Sequence, residues 1–143
     1  MRLLAVLLSA ACLAACGDSR VVEEKRGFVT AGLRDPSSAQ FRNERLKPSG
    51  WLCGELNSKN AYGAYVGFKR FVAKDAASAY VDGSGRVGVG AYQHQEMLRD
   101  IEMETQAMKE SLKMLQEGSL SRDADKDWVN KRVFEIRWQE HCS

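Results

Sequence analysis

Apolar residues recur at different periods along this 143-residue chain, and the changes of period mark out its elements. Residues 3–15 form one short apolar run. Over residues 19–34 the period is helical: Val22, Val29 and Leu33 share a face with Phe28 beside them. Ser19 is placed to cap, and Glu23 and Glu24 suit the positive end of the helix dipole. Gly27 and Gly32 weaken this helix but allow close packing, and Asp35-Pro36 ends it, since the residue before proline avoids the α region. Period-two alternation then takes over. Strands are expected at Ala39–Leu46, Trp51–Asn57, Gly63–Ala73, Ala77–Val81 and Arg86–Val89, with turns at Lys47-Pro48-Ser49-Gly50 and Asp82-Gly83-Ser84-Gly85. Over residues 91–117 a helical period returns. Met97, Ile101, Met108, Leu112 and Leu115 form the expected inward stripe, with Thr105 filling its gap and Gly118 as the stop. At 1.5 Å per residue this second helix would be about 40 Å long, enough to overhang a small sheet. Finally Phe134, Ile136 and Trp138 alternate with Glu135 and Arg137, which predicts a last strand over Val129–Glu140. The fold class read from this order is α+β: an N-terminal helix, an antiparallel sheet of about four to six strands, a long second helix and a C-terminal strand.

The first apolar run is too short for a bilayer anchor, which needs about 20 residues. With Arg2 ahead of it, the run fits the apolar region of a cleaved signal peptide. It ends in Leu13-Ala14-Ala15-Cys16, which resembles the lipobox of bacterial lipoproteins. The resemblance implies diacylglyceryl transfer to the Cys16 thiol, cleavage before Cys16, and acylation of the new amino group. Each buried lipid CH₂ contributes about 0.8 kcal/mol, so two or more chains anchor stably. Residues 1–15 are thus read as a cleaved signal peptide, 16–18 as a lipidated tether, and 19–143 as one α+β domain. The tether is so short that the domain would lie close to the membrane. Gly17 in place of Asp after the lipidated cysteine favours the outer over the inner membrane by analogy with enteric sorting, with the domain facing the periplasm.

Composition narrows the function classes. Loss of residues 1–15 leaves 128 residues, a natural single domain, with 20 Lys and Arg against 19 Asp and Glu. That near-neutral balance, with no basic block, gives no footprint for nucleic acid. Of four cysteines, Cys12 leaves with the signal peptide and Cys16 carries lipid, so Cys53 and Cys142 remain. In an oxidising compartment a Cys53–Cys142 disulfide is the default, with free thiols or a Cys/His metal set including His94 and His141 as the lesser alternatives. No cofactor motif is present. Asp123-Ala124-Asp125-Lys126-Asp127 has the alternating acids of a calcium loop, but Trp128 stands where glycine is needed and Phe134 where a bidentate Glu is needed.

The most unusual stretch runs from Leu33-Arg34-Asp35-Pro36-Ser37-Ser38-Ala39-Gln40-Phe41 through Cys53-Gly54-Glu55-Leu56-Asn57-Ser58-Lys59-Asn60-Ala61-Tyr62-Gly63-Ala64-Tyr65-Val66-Gly67. Over residues 33–72 the chain resembles a family of small uncharacterised bacterial envelope and phage-associated proteins. The resemblance implies a shared module and brings no activity with it. Physically, asparagines on a tight connection bond their own backbone, and glycines permit close approach of another chain. Two readings follow: a structured hairpin, or a binding patch of Asn57, Lys59, Asn60, Tyr62 and Tyr65 for a glycan or a protein.

Catalysis has thin support. The chain has two histidines, His94 and His141, no Gly-x-Ser-x-Gly elbow and no His-Glu-x-x-His helix. The function expected is a non-enzymatic, lipid-anchored envelope protein that binds another envelope component, a protein partner. A glycan-directed small hydrolase, an inhibitor of a cell-wall hydrolase, and a purely structural envelope lipoprotein are the alternatives.

Overall fold

The computed structural model describes residues 18–91 and 93–143, so the lipobox, Cys16 and the signal region lie outside the described residues. Helix α1 occupies residues 18–30 and is followed by a 3-10 turn, Pro36–Ser38. Five strands come next: β1 Gln40–Leu46, β2 Leu52–Asn57, β3 Lys69–Ala73, β4 Ala79–Val81 and β5 Gly85–Arg86. They form one antiparallel meander in the order β1-β2-β3-β4-β5. Helix α2 (His94–Gln116) and helix α3 (Asp125–Cys142) complete the chain. The α+β class, with its N-terminal helix, antiparallel sheet and long second helix, is as the sequence leads one to expect.

Alternation along the central strands divides two cores. Leu52, Leu56, Phe71, Ala73, Ala79 and Val81 face α1, whose Val29 is fully buried among them. Cys53, Val72 and Tyr80 face the other way, onto Phe134, Trp138 and Cys142 of α3. Because successive side chains point to opposite faces, three short strands supply both cores. Helix α2 lies antiparallel to α3: Arg99 meets Glu140 at 2.8 Å, Asp100 meets Arg137, and Arg132 meets Glu110 at 2.6 Å.

Three expectations are corrected. The C-terminal strand over Val129–Glu140 is the helix α3. Phe134, Ile136 and Trp138 alternate, but Phe134, Trp138 and Cys142 also repeat every four residues, and that second period is the one the core uses. Asp125 and Asp127 in its first turn and His141 in its last suit the helix dipole. The C-terminus is therefore not within the sheet; the end of α3 is pinned to it from one face. Second, β3 begins at Lys69, not Gly63. Gly63 (φ 77°) and Gly67 (φ 96°) turn the chain, and Tyr65, Val66 and Phe68 are exposed. Third, α2 is rotated relative to its apolar stripe. It buries Asp100, Met103, Ala107 and Ser111, while Met97, Ile101, Met108 and Leu112 face outward.

Candidate functional site

Cys53 on β2 and Cys142 at the end of α3 are joined as a disulfide with Cα atoms 5.8 Å apart, closing a separation of 89 residues. Trp51 stacks flat on His141 beside it, with ring centroids 4.0 Å apart. Burial first holds the His141 imidazole below its ordinary value, with Arg137 and Lys74 acting the same way and Glu140 opposing. Among the described residues no group of three or more His, Cys, Asp or Glu is placed to hold a metal ion.

Of the five residues of the sequence-derived patch, Asn57 ends β2 and the other four lie on the loop that follows, and they have different work. The Asn60 side-chain oxygen accepts from the backbone N–H of Tyr62 (2.9 Å) and Ala64 (3.1 Å). That of Asn57 accepts from Gly67 (3.1 Å), and Asn57 itself is buried. Asn60 thus forms a side-chain turn, and Asn57 ties Gly67 back to the end of β2. Lys59 and Tyr65 form an isolated bridge, and the two anchor the loop on Ser38: Lys59 donates its N–H to Ser38 Oγ (3.0 Å), and Tyr65 donates its hydroxyl to the Ser38 carbonyl (3.2 Å). Lys59 Nζ lies 5.6 Å from the Tyr65 ring centroid. Tyr62 is the more exposed of the two tyrosines, at 93 %. The geometry organises a hairpin-like loop and presents one aromatic ring at its tip.

A buried polar cluster that the sequence reading missed joins α2, α3 and the sheet. The Arg137 guanidinium, 2 % exposed, pairs with the Asp100 carboxylate and lies over the Tyr80 ring at 3.7 Å. Tyr80 donates its hydroxyl to Asp100 Oδ2 at 3.2 Å. Burial, with the Asp100 charge assisting and Arg137 opposing, holds the Tyr80 phenol well above its ordinary value, so it stays a donor at neutral pH. A cavity of about 90 Å³ adjoins the cluster, lined also by Arg86, Glu104 and Asn130. Charged side chains are rarely buried unless paired, so Asp100 and Arg137 each need the other in place. The signal for this cluster lay in helical period across residues 134–142, which puts Arg137 among Phe134, Trp138 and Cys142.

With Asp100 turned inward, the apolar row of α2 is left outside. Ile101 is 52 %, Met108 48 % and Leu112 56 % exposed, with Met97 and Leu98 at the same end as Ile101. These side chains form a continuous stripe along most of a 23-residue helix, flanked by Glu102, Glu104 and Lys109. Among the described residues no helix is long and apolar enough to cross a membrane. Comparison with known proteins finds no matching family model, no matching curated protein and no matching solved structure.

Proposed function

We propose that the mature chain is a non-enzymatic, lipid-anchored interaction module of the bacterial cell envelope that binds a protein through the outward face of α2. The exposed row of Leu98, Ile101, Met108 and Leu112 carries this reading. Large contiguous apolar patches on a folded domain mark interaction sites, and methionine-bearing helices adapt to partner surfaces. Anchoring rests on the lipobox residues Leu13-Ala14-Ala15-Cys16. The Cys53–Cys142 disulfide supports an oxidising compartment outside the cytoplasm.

Two experiments in intact cells test the two halves. A Cys16→Ser variant should lose labelling by a lipid precursor and leave the membrane fraction; unchanged lipid labelling would refute the anchor. A photo-crosslinking amino acid placed at Ile101 or Met108 should trap a discrete protein adduct, while one at the exposed Lys126 should not. Equal yields at the three positions would refute α2 as the binding face.

A further inference from the structure

We propose that the occupant of the outward face of α2 is a second copy of this chain, paired helix to helix across a two-fold axis. This deepens the reading above and rests on it, since it names the partner of the same face.

The stripe has the spacing of a helix-pairing seam. Leu98, Ile101, Thr105, Met108, Leu112 and Leu115 follow intervals of three, four, three, four and three, the heptad alternation that keeps one seam facing a partner helix. Met97, Leu98, Ile101, Met108 and Leu112 are exposed, and Leu115 is half-buried. The face α2 turns to its own domain, centred on Asp100, Met103, Ala107 and Ser111, is a different one. A core-facing stripe would not need the strict three-four alternation, and here four of the six residues that follow it are exposed among the described residues, with Thr105 and Leu115 half-buried.

Charge complementarity selects a second copy as the occupant. The seam's flanking positions carry Glu102, Glu104 and Lys109. If two copies pair in parallel, Glu104 of one falls opposite Lys109 of the other, five residues on, and the contact is made twice by symmetry. If they pair antiparallel about a centre between Gln106 and Ala107, Leu98 meets Leu115, Ile101 meets Leu112, Thr105 meets Met108, and Glu102 meets Lys109, again twice. Either sense brings opposite charges together. An anionic lipid surface fits poorly: α2 holds five acids (Glu96, Asp100, Glu102, Glu104, Glu110) against three bases, whereas helices that lie on membranes are rich in Lys and Arg. Anchoring both copies to one membrane would raise their local concentration and favour the pairing further.

Sedimentation of the purified mature chain, disulfide intact, tests the proposal. The expected result is a reversible dimer at micromolar concentrations. Ile101→Lys with Leu112→Lys should give a monomer with unchanged circular dichroism that melts as the native chain does when diluted below its dimerisation range, because both side chains are exposed. Lys109→Glu should weaken the dimer roughly tenfold, and adding either Glu104→Lys (parallel) or Glu102→Lys (antiparallel) should restore it. A wild-type chain that stays monomeric at high micromolar concentration, or a dimer indifferent to the lysine substitutions, would overturn the proposal. If a monomeric chain crosslinks in cells through Ile101 to a different protein, the second copy is refuted and the interaction module stands. If it binds anionic vesicles through the same residues, or if Ile101 and Met108 trap nothing, both readings fail.

Discussion

Replacing Asp100 by alanine should cost this domain about 2–4 kcal/mol of folding stability, and the figure follows from where its partner is held. Arg137 is 2 % exposed, its guanidinium lies over the Tyr80 ring, and its Nε has no hydrogen-bond acceptor. Deleting the carboxylate strands a buried cation, which costs about 3–5 kcal/mol, and also removes the acceptor of the Tyr80 hydroxyl. The adjoining cavity of about 90 Å³ gives water a route to the stranded charge, which favours the lower end. Alanine in mid-helix returns up to about 0.7 kcal/mol of propensity. The assay is urea unfolding at neutral pH with the disulfide oxidised, where a fall in midpoint at constant m-value reads stability directly. The paired replacement Asp100→Leu with Arg137→Met removes both charges and should recover most of the loss, since apolar substitutes for buried ion pairs are often neutral or better. The reasoning is refuted if Asp100→Ala loses less than about 1 kcal/mol, or if the paired variant is as unstable as the single one, because then the charges are not holding each other in place.

Three further outcomes are expected. Replacing Cys53 and Cys142 by serine should lower stability by about 2–5 kcal/mol, read as a shift in urea midpoint that added reductant reproduces in the native chain. Gly27→Ala and Gly32→Ala should have opposite signs in thermal melts: a Cβ at Gly27 meets nothing and gains roughly 0.5–1 kcal/mol of helix propensity, while one at Gly32 would sit 2.2 Å from the Val87 carbonyl oxygen and must displace backbone. Because His141 has a lowered value in the folded chain, the unfolded state binds its proton first as pH falls, so its contribution is present above about pH 6.5 and is lost below it. Melting temperature measured from pH 8 to 5 should decline less steeply in His141→Phe than in the native chain; parallel curves would rule out His141 as the source.

Most of the fold was legible because strands and turns announce themselves locally. Lys47-Pro48-Ser49-Gly50 and Asp82-Gly83-Ser84-Gly85 sit where the chain reverses, and the alternation of Leu52, Cys53, Phe71 and Val72 divides them between two faces as period two requires. Cys53 and Cys142 could be paired by elimination, and they are paired. The C-terminal element was misread because a five-residue window around Ile136 satisfies both periods, and only the distant contact with Cys53, Val72 and Tyr80 decides between them. Of the patch residues, Asn57 ends β2 as expected and Lys59, Asn60 and Tyr62 lie on the connection after it, whereas Tyr65, expected within a strand, lies on that connection too. The expectation that asparagines here bond their own backbone fits Asn60, while the reach of Asn57 across to Gly67 and the 93 % exposure of Tyr62 depend on the folded path of the loop.

The rotation of α2 joins these failures to the function. Periodicity assumes that the apolar side of a helix faces its own domain. Here that side would have to displace Asp100 from Arg137, and leave a buried guanidinium unpaired between Phe134 and Cys142. Arg99–Glu140 and Arg132–Glu110 hold the same rotation from either end of the α2–α3 pair. Such surface pairs contribute little each, but every pair agrees on which face turns in. The domain therefore satisfies α2 with Asp100, one methionine, Met103, and the small residues Ala107 and Ser111, and leaves Ile101, Met108 and Leu112 exposed. A sequence under selection for monomer stability alone would exchange the two faces, or replace Ile101, Met108 and Leu112 by Lys, Glu or Gln at no cost to its core. That it keeps an apolar seam of regular spacing on the outside is the local inconsistency on which the proposed association rests.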